Sequence, residues 1–212
     1  MRRLQSALQI RRTSERKGVL IMRTKNIMIV GVGGQGTLLA SKLLGRLLLE
    51  KGYDVKVSEV HGMSQRGGSV VTYVRYGDKV YSPIIDKGEA DIIISFELLE
   101  AAARYVEYLR PEGRIVVNTQ EIDPMPVITG AAEYPTELVK KIMALGVNLD
   151  AIDALSLAEE AGTSKAVNLV LMGRLSKYFD FTTEEWMAAI EKSVPPKFLE
   201  INKKAFLLGK DA

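Results

Sequence analysis

The chain has 212 residues, 47% hydrophobic and 26% charged, with no cysteine and one histidine. That suits one self-sufficient α/β domain and excludes disulfides, cysteine-held zinc or iron–sulfur clusters and a multi-histidine metal site on this chain. The formal charge of +3 is unevenly placed: six cations against Glu15 give residues 1–21 a balance of +5, leaving residues 22–212 at −2, so the folded part is not built for nucleic acid. No apolar run approaches the roughly 20 residues that span a bilayer, and a cytoplasmic location is expected.

Residues 1–21 read as a basic extension, disordered or loosely helical, ahead of a domain covering 22–212 whose natural start is Met22. Ile27–Val30 is an apolar strand that runs into Gly31, Gly33 and Gly36, the G-x-G-x-x-G spacing of a turn that brings backbone N–H groups and a helix N-terminus to an anion. From Gly36 to Glu50, Ala40, Leu43, Leu44, Leu47 and Leu48 recur at helical spacing, with Gly45 placed for close packing on the sheet and Gly52 as the stop. Asp54–Val60 follows as a strand with Val55, Val57 and Val60 inward, completing a right-handed β-α-β unit.

Ser69–Tyr76 alternates like a strand, and Gly77-Asp78 predicts a two-residue turn into a partner strand at Lys79–Ser82. Asp91–Ser95 returns to buried parallel character, Glu97–Leu109 is helical, and Pro111-Glu112-Gly113 turns into a strand at Arg114–Asn118. After an irregular stretch holding the apolar piece Val127–Thr129, Pro135–Leu145 is helical and Val147–Ala151 supplies a last strand. Helices at Ser156–Ala161, Ser164–Phe179, Glu184–Ser193 and Lys197–Leu208 finish the chain, with a Thr182/Glu185 capping box, a break at Pro195-Pro196 and Gly209 closing the end. The fold class is a single Rossmann-like open sheet, mostly parallel with an antiparallel hairpin, and a helical C-terminal part.

The first glycine turn admits three readings: a NAD site using Glu59 on the ribose, a plain packing turn, or a phosphate cradle. A second glycine-rich turn, Gln65-Arg66-Gly67-Gly68-Ser69, offers a guanidinium beside unhindered backbone donors and a hydroxyl. Both turns belong at the carboxyl edge of the sheet, where open α/β folds bind ligands. His61 at that edge is a candidate proton shuttle or a hydrogen-bonded loop residue. Asn118 and Asn168 fit ligand contacts, and fit caps or buried amide bonds as well or better. Walker lysine, nucleophile elbow and paired carboxylates are absent.

The segments IVGVGGQG, EVHGMSQRGGSVVTYVRYG, VNLVLMG and IEKSVPPKFLEINKKAFLLG together resemble the gamma-type subunit of 2-oxoacid:ferredoxin oxidoreductases, over about Lys25–Gly209. The HGMSQRGG form is most similar to the beta subunit of indolepyruvate ferredoxin oxidoreductases. The resemblance implies an oxygen-sensitive complex that converts arylpyruvates to arylacetyl-CoA and reduces ferredoxin. Thiamine diphosphate and iron–sulfur clusters then belong to a larger alpha subunit, and coenzyme A is the co-substrate. By the same resemblance Gly33, Gly34, Gln35 and Gly36, with Ser64, Arg66, Gly67, Gly68 and Ser69, face coenzyme A or the thiamine-bearing subunit. The isolated chain is then inactive and carries no catalytic residue of its own. The alternatives are an independent NAD-dependent dehydrogenase and a nucleotide-sensing regulatory module. Intact-mass analysis of the protein from its native host tests the extension: a start at Met22 is expected, and a start at Met1 counts against it.

Overall fold

The computed structural model describes residues 23–59 and 68–212. The expected N-terminal extension, His61, Ser64, Arg66 and Gly67 lie outside the described residues. One sheet holds β1 (Lys25–Val32), β2 (Asp54–Glu59), β3 (Ser69–Gly77), β4 (Ala90–Ser95), β5 (Leu109–Asn118) and β6 (Asn148–Ile152), in the order β2-β3-β1-β4-β5-β6. β4, β5 and β6 continue parallel to β1, while β3 runs antiparallel to both β1 and β2. The helices are α1 (Thr37–Glu50), α2 (Met125–Ile128), α3 (Leu138–Ala144), α4 (Ala154–Ala161), α5 (Val167–Ser176), α6 (Thr183–Ser193) and α7 (Leu199–Asp211).

The two-residue period of β1 divides the core. Ile27 and Ile29 enter the layer shared with α1 and α4–α7, whereas Met28 and Val30 enter the layer covered by α3 and the turns after β4. All four are at most 1% exposed, which is why the strand reads as a continuous apolar run.

The expected β-α-β unit is present with a strand wedged into it: β3 pairs with β1 from Lys25↔Tyr76 to Val32↔Ser69 and separates β1 from β2. The antiparallel hairpin is therefore β2–β3, not a pairing of β3 with Lys79–Ser82. That later segment forms no strand because side chains take its backbone groups: Asp54 accepts from the Val80 N–H at 2.8 Å, and the Arg75 guanidinium donates to the carbonyls of Ser82 and Ile84 at 3.0 and 2.6 Å. Val57, expected inward, is 41% exposed, since β2 is the edge strand and the helix opposite presents Gly45 there. Between β4 and β5 the expected helix is a wide π-helical turn, Glu100–Tyr105, then a 3-10 turn, Val106–Tyr108.

Helix α5 is buried all round except at Arg174, as a helix packed between a sheet and a second helical layer must be. Arg174 reaches β6, where its Nε lies 2.8 Å from both oxygens of Asp150, and Tyr178 donates its hydroxyl to the same carboxylate. On its other side α5 crosses α7 at backbone contact. A Cβ at Gly173 would stand 2.0 Å from the Phe206 carbonyl oxygen, and one at Gly209 would stand 1.9 Å from the Val170 carbonyl oxygen. Gly209 is thus a crossing residue inside α7, which continues to Asp211, and not the helix stop that its position suggested. The Thr182/Glu185 capping box of α6 forms as expected.

Two predictions follow from this packing. Gly209→Ala must push α7 off α5 and should lower stability by about 3 kcal/mol, at the upper end of overpacking costs; an unchanged urea midpoint contradicts the crossing. Burial alone would raise the Asp150 pKa, but hydrogen bonds from Arg174 and Tyr178 outweigh it and hold the pKa below the ordinary 3.8. A carboxylate depressed in this way stabilises fully above its unfolded pKa, and that contribution disappears as pH falls through the lower folded value. Asp150→Asn should cost about 3 kcal/mol at neutral pH and flatten the acid limb of a stability-versus-pH curve; a parallel acid limb contradicts the pairing.

Candidate functional site

The first glycine turn leaves the carboxyl end of β1 and closes on α1. Gly34 and Gly36 have φ of 99° and 85°, left-handed values that L side chains rarely adopt. Gly31 serves a different need, since a Cβ there would lie 2.8 Å from Gln35 Oε1 and 2.9 Å from Phe96 Cβ. Gly36 also packs closely, its missing Cβ position being 2.7 Å from Asn168 Nδ2. As the N-cap of α1, Gly36 offers no side chain to the helix, and its carbonyl receives Leu39 and Ala40 N–H at 3.1 and 3.3 Å. The first N–H groups of the helix, at Thr37 and Leu38, point out of its end without an intrahelical acceptor.

The two glycine turns meet. Gly33 donates its N–H to the Gly68 carbonyl at 2.8 Å, extending the β1–β3 ladder into the loops. Ser69 is the residue opposite Val32, and its hydroxyl donates to Glu100 Oε2 at 2.5 Å. Gly34 is exposed, while Gly33 and Gly36 are half-buried.

Gln35 sits in the same turn, but its side chain braces the scaffold. Its Oε1 accepts from the Val32 N–H at 2.8 Å and its Nε2 donates to the Phe96 carbonyl at 3.0 Å, tying β1 to the end of β4. Asn118 and Asn168 take the second of their two readings. Asn118, fully buried, donates to the Phe96 carbonyl at 3.2 Å and accepts from the Ala154 N–H at 3.1 Å, which caps α4. Asn168, 4% exposed, accepts from the Leu169 N–H at 2.9 Å and donates to the Gly36 carbonyl at 3.4 Å.

Open clefts lie on both sides of this turn. One of about 280 Å³ is bounded by Gly33, Gly34, Gly36, Thr37, Leu38 and the β3 residues Val70 and Thr72. Another of about 370 Å³ runs from Gly34–Gly36 to Gln120, Leu155, Ser164 and Lys165. Lys165 is exposed and makes no ion pair among the described residues. Sequence reasoning missed Lys165 and Ser164 as site residues because they arrive from 130 residues downstream. The Gly162-Thr163-Ser164 run marks them only as a helix start.

Glu97, also unremarked in the sequence, is 1% exposed at the end of β4. It accepts from Tyr134 Oη at 2.6 Å, from the Glu100 N–H at 2.9 Å and from the Ile122 N–H at 3.2 Å. Burial and this hydrogen bond push the Tyr134 hydroxyl pKa well above its ordinary value, so it stays a donor. The one signal was its place directly after a parallel strand, the edge where such folds put function.

The dinucleotide arrangement does not form. Glu59 sits on β2, and Thr72 of β3 pairs both with it and with Ile29, so the acid is two strand spacings, about 10 Å, from β1. Its Oε1 accepts from Ser41 of α1 at 2.7 Å. Among the described residues no group of three acidic, histidine or cysteine side chains could hold a metal ion, and no helix is long and apolar enough to cross a membrane.

Residues 26–212 match the family described as pyruvate ferredoxin/flavodoxin oxidoreductase. The chain is 47% identical over 193 residues to the indolepyruvate oxidoreductase subunit IorB of Thermococcus kodakarensis, covering 89% of this chain and 95% of that one. The pyruvate oxidoreductase subunit PORC of Thermotoga maritima has a similar fold, with a TM-score of 0.70 at 22% identity over 89% of this chain and 96% of that one. The fold also matches 31% of a chain of 2-oxoglutarate:ferredoxin oxidoreductase from Magnetococcus marinus, whose structure contains 2-oxoglutarate, coenzyme A and succinyl-CoA, with a TM-score of 0.68 at 20% identity over 89% of this chain. From the first strand to its last residue, the chain belongs to the pyruvate ferredoxin/flavodoxin oxidoreductase family.

Proposed function

We propose that this chain is the small, gamma-type subunit of an indolepyruvate or related arylpyruvate:ferredoxin oxidoreductase, and that its paired glycine turns receive coenzyme A. The reaction removes the 2-oxoacid carboxyl as carbon dioxide, passes the arylacetyl group to the coenzyme A thiol and gives two electrons to ferredoxin. Identity of 47% with an indolepyruvate oxidoreductase subunit supports the substrate class. The observation that supports the site is the bond from Gly33 to Gly68, which ties the described end of the second turn to the first, beside a helix start with no side-chain cap.

Each part has a physical role. Amides at Gly34, Gly36, Thr37 and Leu38 suit phosphate oxygens, since helix N-termini favour anions. Lys165 on one flank and Arg66 in the second turn supply charge. Gln35, Gly68 and Ser69 hold the two turns in register. A chain without cysteine offers no ligands for an iron–sulfur cluster. The clusters are therefore assigned to a larger alpha subunit, and by the family resemblance so is thiamine diphosphate, which would supply the carbanion-stabilising chemistry.

Calorimetric titration of the chain alone and of the complex with its co-purifying partner tests this assignment. Coenzyme A should bind the complex, and NADH should not bind the lone chain; NADH binding at micromolar strength contradicts the proposal. Arg66→Ala should weaken coenzyme A use by roughly tenfold or more, as a lost charge-assisted phosphate contact does, with less effect on carbon dioxide release. Equal loss of both half-reactions would assign Arg66 to assembly instead.

A further inference from the structure

A further cleft lies along the β2 edge of the sheet, away from the first glycine turn. It encloses about 570 Å³ between α1, β2 and the end of α6. Its apolar floor is Leu49 and Val57, which are 60% and 41% exposed although both are large side chains. The floor is open above Gly45: an added Cβ would meet only Val57, at an ordinary contact distance of 3.6 Å, so the close packing expected of this glycine is not what places it.

The rim is cationic. Lys42, Arg46 and Lys192 line it against Glu59, which accepts from Ser41; Lys192 is itself paired with Glu50 at 2.9 Å, so the rim's surplus charge sits on Lys42 and Arg46. Lys42 and Arg46 stand one turn apart on α1, so their charges project along the same side of the groove. Arg46 is oriented by donating to the Lys192 carbonyl at 2.5 Å. Nothing in the proposed reaction uses these residues.

Among the described residues β2 is the terminal strand of the sheet and pairs only with β3. Its outer backbone donors and acceptors form a template for another strand. Its residues alternate, so Val57 faces the groove while Lys56, paired with Asp54, lies on the opposite face. A small molecule in the cleft would leave that row of backbone groups unpaired, and a docked helix has no free backbone groups to offer it. An extended segment satisfies both.

We infer that the β2 edge and its groove receive an extended, acidic segment of the larger partner subunit, added to the sheet as a seventh strand. An apolar side chain of that segment enters between Leu49 and Val57, and carboxylates flanking it face Lys42 and Arg46. This rests on the reading of the chain as one subunit of a hetero-oligomeric oxidoreductase, but the two can fail separately.

Hydrogen exchange on the isolated chain and on the assembled complex is the test. Amides of residues 55–59 should exchange at least about tenfold more slowly in the complex. Val57→Lys, which puts a charge on the edge as natural sheets do to block pairing, and the double variant Lys42→Glu/Arg46→Glu should each weaken assembly about tenfold or more while the isolated chains melt as wild type does. A complex that forms with β2 exchanging at its free rate overturns the docking surface and leaves the subunit reading intact. Protection of β2 that rises with the concentration of the isolated chain assigns the edge to a second copy and also overturns it. Failure of the two subunits to associate overturns both.

Discussion

The structure depends on the intrusion of one antiparallel strand. β3 fills the position that a β-α-β unit would leave to β2, and eight residue pairs bind it to β1 from end to end. Because the strands run in opposite directions, the loop that precedes β3 and the loop that follows β1 emerge at the same rim. The Gly33–Gly68 bond is the last rung of that ladder. Hydrogen-bond geometry, not chance proximity, brings the two glycine turns together. The same wedge carries Glu59 one strand further out and removes the acid that a dinucleotide pocket needs.

Around this rim the polar side chains serve the scaffold and leave backbone amides for a ligand. Gln35 fastens β1 to the carbonyl of Phe96, Asn118 fastens that carbonyl to the start of α4, and Glu97 gathers the amides of Glu100 and Ile122 with the hydroxyl of Tyr134. Each satisfies buried groups that would otherwise cost about 1–3 kcal/mol apiece. Among the described residues no side chain caps the start of α1, which has clefts on either side of it.

Local signals carried the sequence a long way. The strand–turn–helix at Ile27–Glu50, the parallel strands near Asp91, Arg114 and Asn148 and the Thr182 capping box all rest on contacts within a few residues, and all are present. The errors arose where distant residues decide. Lys79–Ser82 alternates like a strand, but Asp54 and Arg75 claim its backbone. Gly209 stands where a helix stop is expected, yet Val170 on another helix dictates the glycine. Val57 carries the pattern of an inward residue, and only the sheet order reveals that it lies on an edge. At the glycine turn the glycines are legible because their spacing is local, whereas Lys165 joins the neighbouring cleft only through the fold.

On the proposed reading, the bond between the two turns lets a sheet hold a rim of backbone donors for a ligand while the reaction's chemistry sits on the partner subunit. The most direct measurement is a map of the assembled complex with coenzyme A bound. Phosphate oxygens within hydrogen-bonding distance, about 3 Å, of the amides from Gly34 to Leu38 are expected. Coenzyme A held wholly by the larger subunit, with both clefts beside Gly34 filled by protein, would contradict the central claim.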